Sequence, residues 1–87
     1  MLSAEQLDIL RNALELVLDR NTNAWPVYDI KYLCQRYDRL SYFETASGND
    51  AFNRLLIQPK LMSLSPDGQW CKLTDYGREL YEEAEAH

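Results

Sequence analysis

The fold of this chain is decided by residues 61–80, which read LMSLSPDGQWCKLTDYGREL. The first residues alternate between apolar and polar, which is the period of a β-strand, and a second run of this kind begins at Trp70. Between them, Pro66 fits the second position of a type I turn, and Gly68 tolerates the left-handed conformation that follows. The segment therefore predicts a β-hairpin that leads directly into a helix. Within the hairpin, Met62 and Leu64 are expected to point inward.

Their inward partners on the second strand are Cys71 and Leu73, which leaves Trp70 on the opposite face. The residues that follow predict where the last helix begins. Thr74 is a good N-cap for a helix from Asp75 to about Glu85, because its hydroxyl can accept a hydrogen bond from a first-turn backbone N–H. The side-chain-free Gly77 lets this helix approach its neighbours.

The first helix is predicted over Ala4–Arg20, with Ser3 and Gln6 as a capping box. Its apolar residues recur at helical spacing and cover a wide arc, which indicates either a central core position or contact with another subunit. The predicted core stripe is Leu7, Leu10, Leu14, Val17 and Leu18, broadened by Ile9, Ala13 and Leu16.

Two more helices are predicted between this helix and the hairpin. After an extended segment at residues 25–27, the second helix runs from residue 28 or 29 to Arg39, and the third covers Ser47–Ile57 with Ser47 as its N-cap. Residues 40–46 fit either a continued helix or a loop. The predicted class is mainly α with a small β-hairpin, in the order α-α-α-β-β-α.

This order, and above all residues 52–80, resembles winged helix–turn–helix transcription regulators of the MarR- and PadR-like superfamily. The most specific feature is the junction Leu73-Thr74-Asp75-Tyr76-Gly77-Arg78-Glu79-Leu80 after a short hairpin. The resemblance implies a single winged-helix domain over residues 1–87. It further implies a DNA-reading third helix, a hairpin "wing" beside the DNA, and dimerisation through the first and last helices.

Asn and Gln side chains can pair with adenine edges, and Arg with guanine or phosphate. By this resemblance, the base-reading candidates are Asn49, Asn53, Arg54 and Gln58. The candidates for contacts with the DNA backbone or with a partner are Tyr28, Tyr32, Lys31, Arg36, Arg39, Lys60 and Lys72. The chain departs from the family in its wing, where Asp67 takes the place of the usual cations and would repel phosphate.

The charge is unevenly distributed. The net charge is −5 and the pI is about 4.7, the wrong sign for a general nucleic-acid binder. Residues 31–60, however, carry five cationic side chains against three acidic ones. In the second helix, Tyr28, Tyr32, Arg36 and Arg39 share one face, with Tyr42 nearby. Tyrosine and arginine together are typical of protein interfaces and also bind nucleic acid, while the simpler alternative is that the tyrosines cover the edge of the core.

Other features narrow the function. The chain has one histidine, His87, and no nucleophile–His–acid set, phosphate-binding loop or metal-ligand spacing, so we expect no enzyme, no cofactor and no metal. Cys34 and Cys71 fall at inward positions and are expected to be inert core residues, with a redox switch as the alternative. No apolar run is long enough to span a bilayer and no signal peptide is visible, which predicts a cytoplasmic protein that does not associate with a membrane.

Two functions remain open at this point. One is a dimeric regulator that binds duplex DNA, and the other is a protein–protein adaptor or antagonist on the same fold. The winged-helix junction and the excess of positive charge over residues 31–60 favour the first, which is the leading hypothesis. The acidic pI, the Asp67-tipped hairpin and the tyrosine–arginine face motivate the second.

Overall fold

A three-stranded antiparallel sheet and four helical regions form the part of the chain that the computed structural model describes, residues 1–39 and 49–86. We name them in chain order. They are α1 (Ala4–Leu14), β1 (Trp25–Pro26), α2 (Val27–Cys34, followed by a tight turn at Gln35–Tyr37), α3 (Asn49–Ala51 continuing as Phe52–Ile57), β2 (Met62–Leu64), β3 (Trp70–Leu73) and α4 (Asp75–Glu85). The chain is therefore mainly helical with a small sheet, as the sequence predicts.

The predicted hairpin is present, and its register is confirmed. Met62 pairs with Leu73, and Leu64 pairs with Cys71. Met62 and Cys71 are buried, but Leu64 is 43% exposed, so the prediction that it lies in the core is wrong. Leu64 is the last residue of β2, next to the turn, and lies at the edge of the described core. Only the other end of the strand, at Met62, is buried.

The turn and the start of α4 also follow the prediction. Gly68 has a φ of 73°, in the left-handed region. The Thr74 hydroxyl accepts a hydrogen bond from the Gly77 backbone N–H at 2.9 Å. A Cβ atom on Gly77 would collide with the Leu61 carbonyl oxygen, a backbone atom. Close approach of α4 to the start of β2 therefore requires glycine at this position.

The start of α1 is as predicted, whereas its end is not. Ser3 and Gln6 form the reciprocal capping box. The helix ends at Leu14 and not at Arg20, because the following residues reverse the chain to lead it into β1. The Asp19 carboxylate accepts hydrogen bonds from the backbone of Asn21 and Thr22, both at 2.9 Å, in competition with helix continuation.

The buried face of α1 also differs from the predicted stripe. Ile9, Leu10 and Ala13 are buried, whereas Val17 is 90% exposed. The Gln6 side-chain amide donates to the Leu55 carbonyl at 2.9 Å, which places Gln6 on the same inward face as Ile9 and Ala13. Leu14 and Leu18 are exposed at 39% and 38%, because no helix extends beyond Leu14 to complete the predicted stripe.

The extended segment at 25–27 becomes the third strand of the sheet. Trp25 pairs with Cys71 and Pro26 with Trp70, so the strand order is β1-β3-β2. This pairing is not evident from the sequence. α2 ends at Cys34, earlier than the predicted Arg39, and the chain tightens into a turn there.

α3 is helical within the predicted Ser47–Ile57, although Ser47 itself and the open residues 40–46 lie outside the described part. Its second half has wider turns, in which the Gln58 N–H bonds to the Asn53 carbonyl five residues back at 2.8 Å. Around the sheet, all helices except α4 contribute fully buried apolar side chains to one core, against which Leu80 and Tyr81 of α4 pack.

Candidate interaction surface

The largest exposed aromatic side chains of α2 are Tyr28 and Tyr32, which are 79% and 65% exposed. They lie one helical turn apart on the side of α2 that faces the hairpin turn. Between α2 and this turn runs a groove of about 380 Å³, which we call the tyrosine groove. It is lined by Val27, Tyr28, Lys31, Tyr32, Gln35, Gly68 and Gln69.

Backbone hydrogen bonds hold the two walls of the tyrosine groove together. The Val27 N–H donates to the Gln69 carbonyl at 2.9 Å, which ties the first turn of α2 to the hairpin. The hairpin turn is itself fixed by the Asp67 carboxylate, which accepts from the Ser65 hydroxyl and from the Gln69 N–H. These hydrogen bonds lower the pKa of Asp67, and the bond from the Ser65 hydroxyl makes the largest contribution. The groove is therefore preformed, and the tip of the hairpin stays negatively charged at neutral pH.

Lys31 is the charged side chain of the tyrosine groove. Its Nζ lies 5.6 Å from the centre of the Phe52 ring, within the range of a cation–π contact. Within residues 1–39 and 49–86, no carboxylate lies within ion-pair distance of Lys31. Its positive charge is therefore available to a ligand in the groove.

The arginines of the same region have carboxylate partners within the chain. Arg39 lies 3.3 Å from Asp50, and Arg36 lies 3.8 Å from Asp8. Arg54 lies 3.6 Å from Asp50, one helical turn away. The hydrogen bond from the Arg39 side chain, more than any other contact, lowers the pKa of Asp50, which keeps that carboxylate ionised. DNA phosphates would have to compete with these carboxylates for the arginines.

Arg54 does not face outward as expected for a base-reading residue. Its side chain is 24% exposed, and its Nη2 donates to the Tyr37 carbonyl at 2.7 Å, which joins α3 to the end of α2. This bond draws the guanidinium toward the protein. Arg54 therefore has a structural role in joining α3 to the end of α2, and its role in reading bases stays a prediction.

The remaining predicted residues lie on separate surfaces. On α3, Asn53 and Gln58 are exposed and Asn49 is half-buried, with exposed Lys60 just after the helix. Lys72 lies on β3 opposite Ser63 and lines a different groove, together with Trp70. The structure therefore brings Tyr28, Lys31 and Tyr32 together but separates them from Lys72. Tyr42 lies outside the described residues.

Sequence reasoning missed three residues of this region. Asp50 pairs with two arginines, and the i, i+4 spacing of Asp50 and Arg54 could have indicated this. Asp8 accepts a 2.6 Å hydrogen bond from the Tyr37 hydroxyl, across a sequence distance that leaves no local signal. This bond, more than burial, raises the pKa of Tyr37. Gln69 enters the groove only through the pairing of β1 with β3.

The two cysteines lie in the core. Both are buried and free, and burial raises the pKa of each thiol to about 12. The thiolate, which is the reactive form, is therefore scarce at neutral pH. In the described part of the chain, His, Cys, Asp and Glu side chains nowhere cluster as a metal site would require. No helix there has the length and apolar character needed to cross a membrane. His87 lies outside the described residues.

Comparison with known proteins does not add a family to this description. The chain matches no protein-family model, no curated protein and no solved structure.

Proposed function

We propose that the chain is a binding module of the winged-helix type, without enzymatic activity, that recognises a protein partner through the tyrosine groove. The element order supports the winged-helix interpretation, and so does the hairpin, whose turn is hydrogen-bonded to the first turn of α2. The observation that carries the proposal is the exposure of Tyr28 and Tyr32 beside a preformed groove. Tyrosine is among the residues that contribute most to protein–protein binding, because it offers a large apolar ring with one polar group.

The charge distribution supports a protein partner over DNA. Affinity for DNA depends strongly on how many phosphates the protein neutralises. Arg36, Arg39 and Arg54 each lie beside a carboxylate, and Asp67 places a negative charge at the hairpin tip. The net charge of −5 acts in the same direction.

Affinity capture with a matched pair of variants tests the proposal. The purified chain is immobilised, a partner is captured from a lysate of the source organism, and its affinity is then measured with purified proteins. We expect Tyr28→Ala/Tyr32→Ala to weaken binding by about thirtyfold or more, as for the loss of an interface hot spot. Tyr76→Ala is the control, because Tyr76 is also exposed, at 53%, but lies on α4. Equal binding by the double variant and the wild type would overturn the proposal.

A DNA-binding regulator is the second candidate, favoured by the exposed Asn53, Gln58 and Lys60 on and after α3. A homodimer through α1 and α4 belongs to this candidate. It is tested by mobility shift at low salt with genomic fragments and by sedimentation of the protein. DNA binding would replace the first proposal if Asn53→Ala/Gln58→Ala loses sequence-selective binding and Tyr28→Ala/Tyr32→Ala keeps it.

A further inference from the structure

We infer that the tyrosine groove takes a peptide segment of the partner that carries a carboxylate, and that Lys31 pairs with this carboxylate. The assignment rests on the proposed function and names the chemistry of the partner at the same site.

The first reason is the charge of the groove. Among the residues that the structure describes, Lys31 is the only charged one that lines the groove, and an ammonium group donates hydrogen bonds but cannot accept them. The other polar groups at the groove are the hydroxyls of the tyrosines and the amides of Gln35 and Gln69, all of which can donate to a carboxylate. Asp29, on the same helix, and Asp67, next to Gly68 in the hairpin turn, do not line the groove. The Asp67 carboxylate is already bonded to the Ser65 hydroxyl and the Gln69 N–H.

The second reason is that the charge of Lys31 is uncompensated and held in place. The arginines nearby each lie within 3.8 Å of a carboxylate, whereas Lys31 has no such neighbour in the described residues. The ring below its ammonium group belongs to Phe52, which is 1% exposed and therefore fixed in the core. A ligand carboxylate would meet a positioned cation and would not first have to break an ion pair.

The third reason is the size of the groove. A volume of about 380 Å³ has room for a few side chains of a bound peptide segment, with the apolar faces of Val27, Tyr28 and Tyr32 beside them. Charge alone would equally attract an inorganic anion, but the tyrosines and Val27 add an apolar contribution that the side chains of a peptide can use and an inorganic anion cannot.

Selection from a random peptide library displayed on phage tests the inference. The full chain is the bait, and peptides selected by the wild type are sequenced and then titrated by fluorescence anisotropy. We expect Asp and Glu to be enriched, and we expect Lys31→Glu to weaken the selected acidic peptides by about tenfold or more, since attraction becomes repulsion. Lys31→Arg is expected to retain binding.

Two further variants separate the groove from general charge effects. Lys72→Glu makes the same change in net charge on the exposed face of β3 and is expected to leave peptide affinity within about twofold. Gln35→Glu adds a negative charge to the groove at an exposed position, so it tests the same idea if Lys31→Glu does not fold. It is expected to weaken acidic peptides as well.

The outcomes distinguish this inference from the proposed function. Failure to enrich any peptide, enrichment of neutral or basic peptides, or equal weakening by Lys72→Glu would overturn the carboxylate assignment. The proposed function would still stand if the captured partner requires Tyr28 and Tyr32. If that double variant also binds the partner normally, both are wrong.

Discussion

The junction between the hairpin and α4 (residues 61–77) and the turn between α1 and β1 (residues 15–24) both redirect the chain, but by different means. At the junction, backbone meets backbone: the Thr74 N–H donates to the Leu61 carbonyl at 3.0 Å, and Gly77 lies against the same carbonyl. In the turn, one side chain organises an exposed loop, because Asp19 collects the N–H groups that follow it.

This difference predicts how each region responds to substitution. At Gly77 the junction has no space for an added atom, because the closest neighbours are main-chain atoms of Leu61 that cannot move aside. In the turn, Val17 is 90% exposed, so its side chain can change without disturbing a packed neighbour, whereas Ala24 at the far end of the turn is buried. A tight junction and a tolerant turn should therefore be distinguishable by stability measurements.

The largest effect is expected for Gly77→Ala. Alanine ordinarily stabilises a helix relative to glycine, but here its Cβ would collide with the Leu61 carbonyl oxygen. We expect a loss of about 3 kcal/mol in the free energy of unfolding, measured by urea denaturation. Gly68→Ala is the control: it has open space but a φ of 73°, so it should lose only about 1 kcal/mol. An unchanged or higher stability of Gly77→Ala would mean that α4 does not pack against the junction in this way.

A smaller effect is expected for Thr74→Ala, which removes the cap of α4. The hydroxyl accepts from Gly77 N–H at 2.9 Å, and its own hydrogen can reach the Lys60 carbonyl. We expect a loss of about 1–2 kcal/mol by the same denaturation experiment. Thr74→Ser keeps the hydroxyl and should recover most of the loss. If serine were no better than alanine, the cap would not be the cause.

Substitution in the turn is expected to matter less. Because Val17 lies beyond the end of α1 and is exposed, Val17→Pro should change the free energy of unfolding by less than about 1 kcal/mol. If the helix ran on to Arg20, as its apolar pattern predicts, a proline at this position would cost about 3 kcal/mol. Urea denaturation therefore tests where α1 ends.

The smallest expected difference concerns acid. Hydrogen bonds lower the pKa of both Asp19 and Asp67. The main one for Asp19 comes from the Thr22 backbone N–H, and the main one for Asp67 comes from the Ser65 hydroxyl. Because each folded pKa lies below the unfolded one, each carboxylate stabilises the fold near neutral pH, and this contribution is lost as pH falls through the folded pKa. The melting temperature of the wild type should approach that of Asp19→Asn between about pH 5 and pH 2. A constant difference in melting temperature between the two proteins over this range would show that ionisation of Asp19 does not stabilise the fold.

The candidate surface could be predicted from sequence only in part. The spacing of Tyr28 and Tyr32 places both on one face of a helix, and the structure exposes both. That Lys31 has no carboxylate partner among residues 1–39 and 49–86, while Arg54 is held by the Tyr37 carbonyl, depends on neighbours from other elements. Net charge over residues 31–60 could not show this, because it counts cations without their partners.

What the sequence determined by itself is local: the caps at Ser3 and Thr74, the hairpin register, and the glycine at 68 in its turn. Each depends on backbone geometry within a few residues, so the residue types there are enough to predict it. The tertiary structure alone decided the end of α1 and the inward face marked by Gln6. It also decided the pairing of Trp25 with Cys71 that brings Gln69 to α2. These depend on which distant segments compete for the same backbone groups and buried space, and an apolar period does not encode that competition.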